Sequence, residues 1–270
     1  AAGVAGADSV TVLSFDTPLG RPDGFGRRIA RNTSALLIAE SHVAAVADPA
    51  GGAFAVERLT HDLAEAGWAE LGRIEEAGGI EAALSDGSLQ SRIDDVVARR
   101  DQEVATRKRP LTGLSEFPNL AETLPTRTGG RDPVRRYGAA FEALRDDPPA
   151  GHVFLATLGT IAEHTARATF ATNLFAAGGV AVDTAGPTAA ADDVVAAYDG
   201  QPVACLAGTD AAYAEWGADV VAALRAAGVR RVILAGKPGD RTVAADLVDD
   251  SCALGLDALA FLTRTREALA

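Results

Sequence analysis

Methionine is absent from the 270 residues, lysine occurs only at Lys108 and Lys237, and cysteine only at Cys205 and Cys252. A chain that starts at Ala1 without methionine is expected to be a fragment or processed form of something longer. Residues 6–13 (GADSVTVL) read as a turn feeding a buried strand rather than as a frayed terminus. Two cysteines in apolar surroundings predict buried free thiols in a reducing, cytoplasmic compartment, with a disulfide between them the lesser alternative. No apolar run approaches the roughly 20 residues a membrane-spanning helix needs, and no signal-peptide pattern is visible. Basic residues are also in deficit, with 25 Lys and Arg against 37 Asp and Glu and a net charge of −12. That balance argues against nucleic acid or an anionic membrane as partner. An anionic ligand would need a local positive site such as a helix N-terminus.

What is present is ordinary for a globular protein: 48% hydrophobic and 23% charged residues, enough apolar material for a sizeable core. The length predicts one large domain or two ordinary ones. Residues 9–15 (SVTVLSF) suggest a buried strand, and 25–40 a helix following it. Asp48-Pro49-Ala50-Gly51-Gly52 marks a loop. Over 54–78, Val56, Leu59, Leu63, Trp68 and Leu71 approximate one apolar stripe of a helix. A further helix is expected over 87–107, with Leu89, Ile93, Val96 and Val97 facing inward. Residues 109–134, rich in Pro, Gly and Thr, predict an extended linker, followed by a short helix near 134–145.

After Gly151 apolar β-type runs alternate with Ala-rich helical stretches. Strands are predicted at 153–158, 179–183, 202–206, 231–235 and 258–262. Helices are predicted near 163–177, 189–198, 211–227, 241–253 and 264–269. Such alternation implies a parallel sheet covered on both faces, in the doubly wound order 2-1-3-4-5.

In that fold ligands bind beyond the carboxyl ends of the strands. The first loop there is Leu158-Gly159-Thr160-Ile161-Ala162-Glu163-His164. It has neither the glycine cluster nor the lysine of a phosphate loop, and Thr160-x-x-Glu163 reads as a helix capping box. His164 is a candidate ligand, but no carboxylate–His spacing accompanies it, so a solvated first-turn histidine is expected. Asp183 and Lys237 superficially suggest a phospho-receiver pair. The places that need acidic residues hold Leu158-Gly159 and Ala207-Gly208 instead, and Lys237 reads as a surface turn residue. Asp62, Glu65, Glu75 and Glu76 read as a solvated helix face. No paired carboxylates and no Ser/His/Asp or Cys/His set point to catalysis.

Several ordered stretches resemble the methylmalonyl-CoA mutase family. They are Arg28-Ile29-Ala30-Arg31-Asn32-Thr33, then Ala39-Glu40-Ser41-His42, then the run from Val46 to Thr60 that contains Asp48-Pro49-Ala50-Gly51-Gly52. Ile74-Glu75-x-x-Gly78-Gly79-Ile80 and Gly113-Leu114-Ser115-Glu116-Phe117-Pro118-Asn119 agree, the last being closer to the family's small subunits than to its large ones. The resemblance implies that 1–60 is the end of a β/α (TIM-type) barrel, 61–148 a helical and extended linker, and 149–270 a flavodoxin-like, cobalamin-binding-type domain.

Active members carry Asp-x-His-x-x-Gly after the first strand of that domain, the His ligating cobalt and the Asp orienting it. Anchored on Leu158-Gly159, those three positions hold Ile161, Glu163 and Ala166, and His164 lies one place late. Ala207-Gly208-Thr209-Asp210 replaces a serine-containing pattern, and Thr11-Val12-Leu13 replaces a His-Thr-Asn run. The resemblance therefore implies a non-catalytic small subunit with no catalytic, metal or cofactor site of its own. It would form a heterodimer with a large subunit that carries adenosylcobalamin and acts on acyl-CoA, and it would expose much apolar surface in the barrel remnant. The alternatives are a catalytic mutase chain with a degenerate ligand loop, a stand-alone flavodoxin-like binding module, and a subunit of a mutase for another acyl-CoA.

Overall fold

A computed structural model describes residues 1–129, 135–239 and 241–270. Five apolar segments pair in parallel: β1 (Val153–Thr157), β2 (Val182–Thr184), β3 (Val203–Ala207), β4 (Arg231–Ala235) and β5 (Asp250–Cys252). Their order is β2-β1-β3-β4-β5, the doubly wound order expected. In register, Leu155 opposes Cys205 and Cys205 opposes Ile233.

Successive strand residues point to opposite faces, so β1, β3 and β4 each supply two layers of core. Val153, Leu155, Cys205 and Ile233 meet α6 (Ile161–Ala177) and α10 (Ala258–Leu269) on one face, through Leu174, Phe175, Phe261 and Leu262. Phe154, Ala204, Leu206 and Leu234 meet α7 (Ala191–Ala196) and α9 (Ala218–Ala226) on the other, through Val194, Val220 and Leu224. Between β3 and α9 run a single turn, α8 (Asp210–Ala212), and a π-helical turn at Tyr213–Gly217. The expected free thiols are found: Cys205 and Cys252 are unpaired and buried.

Two elements differ from expectation near the C-terminus. Residues 258–262 are the first turns of α10, not a strand. Asp257 caps that helix by accepting the N–H of Ala260 at 2.9 Å. Ala258, Phe261, Leu262, Thr265 and Leu269 are its buried positions, which is helical spacing; a five-residue apolar run cannot itself distinguish the two. The fifth strand lies instead inside the segment expected to be a helix over 241–253. It is short and polar because it forms the sheet edge, where Asp250 pairs with Arg231 and Arg264. β2 begins three residues later than predicted.

The chain divides into two compact units, 96–122 with 136–270, and 1–95 with 123–135. The second of these contains α1 (Gly24–Ala39), α2 (Phe54–Glu76) and α3 (Ile80–Ser85); α4 (Ser88–Ala105) runs from it into the sheet-containing unit. Helix α5 (Ala139–Asp146) precedes β1, and the part of the expected linker and helix at 130–134 lies outside the described residues.

Residues 9–15 form no strand. A parallel strand needs a neighbour for its backbone groups, and no strand is described before Val153. The segment is held instead by side chains. Asp16, 2% exposed, accepts from Ser14 at 2.5 Å and from Arg127 at 2.6 Å, and Arg127 also reaches Asp23. The apolar stripe on α2 exists in spacing but faces outward: Leu63 is 63% and Trp68 77% exposed. In α4, Ile93 and Val96 are exposed as well, where inward-facing positions were expected.

The contrast is measurable by chemical denaturation. Leu206→Ala, in the sheet core, is expected to cost about 2–5 kcal/mol. Trp68→Ala is expected to change the stability of this chain by no more than about 0.5 kcal/mol.

Candidate functional site

In a 2-1-3-4-5 sheet the chain reverses direction between β1 and β3, and the crevice outside their carboxyl ends is where ligands bind. Here the two edges are drawn together. Leu158 donates its N–H to Ala207 at 2.8 Å. A Cβ on Gly208 would lie 2.9 Å from that of Leu158, so only glycine permits the approach.

The loop after β1 turns through Gly159 at φ +88 into α6. The Glu163 carboxylate accepts from the Thr160 N–H and from the Thr160 hydroxyl, each at 2.7 Å, completing the capping box. Those two bonds, the backbone one first, hold the Glu163 carboxyl below its usual range. Ile161, Glu163 and Ala166 all face solvent. His164 is not the solvated residue expected. It is 7% exposed, and its Nδ1 lies 3.3 Å from the Gly159 carbonyl, to which it can donate. One residue beyond Glu163 turns a helical side chain by about 100°, which carries His164 back under its own loop.

The loop after β3 is closed by groups the sequence did not single out. Arg167 on α6 donates to the Gly208 carbonyl at 2.7 Å, pairs with Asp210, and stacks over the Tyr213 ring at 4.9 Å. Tyr213 is 1% exposed. Its hydroxyl accepts the Gly208 N–H at 3.0 Å and lies 3.0 and 2.9 Å from the carbonyls of Leu206 and Ala235. Burial raises the phenol well above its usual range. No motif rule flags either residue, because their roles exist only once β1, β3 and β4 are adjacent.

Other candidates are placed apart. Asp183 interacts with His152 at 3.1 Å and Gln201 at 2.9 Å, both of which precede strands, so it belongs to the amino end of the sheet. The His152 contact, chiefly, keeps its carboxyl low. Lys237 is exposed beyond the carboxyl end of β4, so the two form no receiver-type pair. Asp62, Glu65, Glu75 and Glu76 are solvent-exposed on α2. Among the described residues no group of three or more His, Cys, Asp or Glu could hold a metal ion. The Cys205 thiol is pushed up by its contact with Cys252 and by burial.

A cavity of about 570 Å³ opens between the loops after β1 and β2, lined by Thr160, Pro187, Thr188 and Asp193 among others. Thr188 already donates to Thr157, and Asp193 accepts from the amides of Ala189 and Ala190. In the 113–119 segment, Glu116 is held by Arg107 and by Asn173 of α6, each at 2.5 Å.

Fold and edge together define a doubly wound, flavodoxin-type domain preceded by a helical region. The chain belongs to the methylmalonyl-CoA mutase family, whose pattern matches residues 1–191. It is 47% identical to the methylmalonyl-CoA mutase small subunit of Streptomyces virginiae, over 98% of this chain and 45% of that protein. It is 35% identical to the small subunit of Propionibacterium freudenreichii subsp. shermanii, over 99% and 45%. The chain thus spans about half the length of the curated relatives it matches. A solved cobalamin-binding protein from Desulfitobacterium hafniense covers 67% of the chain and 94% of itself at 18% identity and TM-score 0.37, too distant to carry an argument.

Because the Glu163 carboxyl is lowered in the folded state, its cap stabilises above the unfolded pKa and is lost as pH falls through the folded one. Glu163→Gln is therefore expected to melt below wild type at neutral pH, with the difference shrinking in acid. Melting curves from pH 7 to pH 2 check this; a pH-independent difference would contradict it.

Proposed function

We propose that this chain is the carboxyl-terminal part of the non-catalytic small subunit of an adenosylcobalamin-dependent methylmalonyl-CoA mutase. The holoenzyme interconverts (R)-methylmalonyl-CoA and succinyl-CoA in the cytoplasm. In this reading residues 1–60 end the β/α barrel, 61–148 are linker, and 149–270 are the cobalamin-type domain. The large subunit carries adenosylcobalamin, whose cobalt–carbon bond supplies the radical chemistry, and the site for acyl-CoA.

One observation carries the reading. Glu163, at the position the family resemblance assigns to the cobalt ligand, caps its own helix. A carboxylate bound to the Thr160 amide and hydroxyl is a poor substitute for a neutral imidazole with a free nitrogen. His164 does not replace it, because its Nδ1 faces the Gly159 carbonyl and its side chain is buried. The residues at this edge do not fit cobalt, so no chemical step is assigned to them.

The role left to the chain is contact. Its described exposed large hydrophobics fall mostly before residue 125, on α1, α2 and the segments around them. Such surface is expected where a partner or the remainder of a barrel packs.

Two measurements test the reading. Titration of hydroxocobalamin with the chain is expected to leave its spectrum unchanged, and co-expression with the family's large subunit to yield a one-to-one complex. Saturable corrinoid binding by this chain, or failure to associate, would contradict it.

A further inference from the structure

Three backbone groups at the carboxyl ends of β3 and β4 meet at one point: the N–H of Gly208 and the carbonyls of Leu206 and Ala235. They lie on the carboxyl edge of the sheet, the edge on which doubly wound folds bind ligands. Here one phenol hydroxyl serves all three, as acceptor for the first and within 3.0 Å of the other two. The ring that carries it is 1% exposed, packs with Leu158 and Leu206, and lies 3.5 Å from where a Gly208 Cβ would sit.

The outer side is closed by Arg167. Its guanidinium lies over the ring, binds the Gly208 carbonyl and pairs with Asp210. It also stands 3.5 Å from where a Gly236 Cβ would be, at the turn after β4. One cation therefore touches the loops after both β3 and β4. The π-helical turn at Tyr213–Gly217 interrupts the regular helix at the residue that enters the crevice, a place where such turns recur.

We propose that Tyr213, roofed by Arg167, is a built-in occupant of the space beyond the carboxyl ends of β3 and β4, beside the β1/β3 switch point, so that restoring a histidine at position 163 does not by itself make this chain bind a corrinoid. The inference rests on the sheet order and the local geometry, not on the assignment to a holoenzyme. A chain that failed to pair with a large subunit could still have its crevice closed in this way. The occupant is an aromatic ring with one hydroxyl. The space it fills therefore accepts a small phenol once the side chain is removed, as apolar cavities made by truncation accept rings of matching size.

The test uses hydroxocobalamin and p-cresol as probes on the whole chain. Glu163→His is expected to leave the hydroxocobalamin spectrum unchanged; a saturable spectral shift in a chain that keeps Tyr213 overturns the proposal. Tyr213→Ala is expected to melt at lower temperature and to be raised again by p-cresol, which leaves wild type unaffected. A folded Tyr213→Ala chain indifferent to p-cresol, or an equal p-cresol effect on wild type, contradicts it. If Tyr213→Ala does not fold, Arg167→Ala decides. Removing the roof is expected to make Tyr213 nitratable by tetranitromethane, with Tyr137, which is exposed in wild type, as the internal reference. Unchanged protection of Tyr213 overturns the proposal.

Discussion

The carboxyl edge of the sheet depends on how closely the loop after β1 approaches the loop after β3. The Leu158 amide bonds to the Ala207 carbonyl, and Gly208 lies where any side chain would strike Leu158. That contact carries the β1–β3 pairing one step past Thr157 and Ala207. Tyr213 and Arg167 then satisfy the backbone groups that remain. The turn at Gly159 then leads into α6, where the Glu163 cap and the buried His164 lie.

The two units of the chain show opposite economies of surface. In the sheet-containing unit, alternate residues of β1, β3 and β4 are buried on two faces, and most large apolar side chains have found a neighbour. In the unit formed by 1–95 and 123–135, order comes from helix propensity, from the Asp23 cap of α1, and from the buried Asp16–Arg127 pair rather than from a core. Polar pairing of that kind fixes conformation but contributes less than burial. The apolar faces of α1 and α2 stay largely exposed.

The sequence made the doubly wound sheet legible because a continuous apolar run between Ala-rich helices has few other readings. Five such units fit the order 2-1-3-4-5 that the structure shows. Residues 258–262 misled because a short apolar run satisfies both periods; the Asp257 cap, visible in the sequence, was the signal that could have separated them. Residues 9–15 misled for a different reason: β-type composition forms a strand only beside another strand. At the site, the capping box was readable as Thr160-x-x-Glu163. The burial of His164 was not, because it depends on the turn at Gly159. Tyr213 and Arg167 were invisible, since nothing local marks a tyrosine that serves carbonyls of two strands.

In the proposed reading this chain contributes through the exposed apolar surface of α1 and α2 rather than through a cofactor site. Hydrogen–deuterium exchange of the chain alone and with the family's large subunit decides whether it does. Slow exchange is expected in β1, β3 and β4 in both states, with fast exchange in α1 and α2 that slows on complex formation. Protection of α1 and α2 unchanged by the partner, with new protection confined to the loops after β1 and β3, would contradict it.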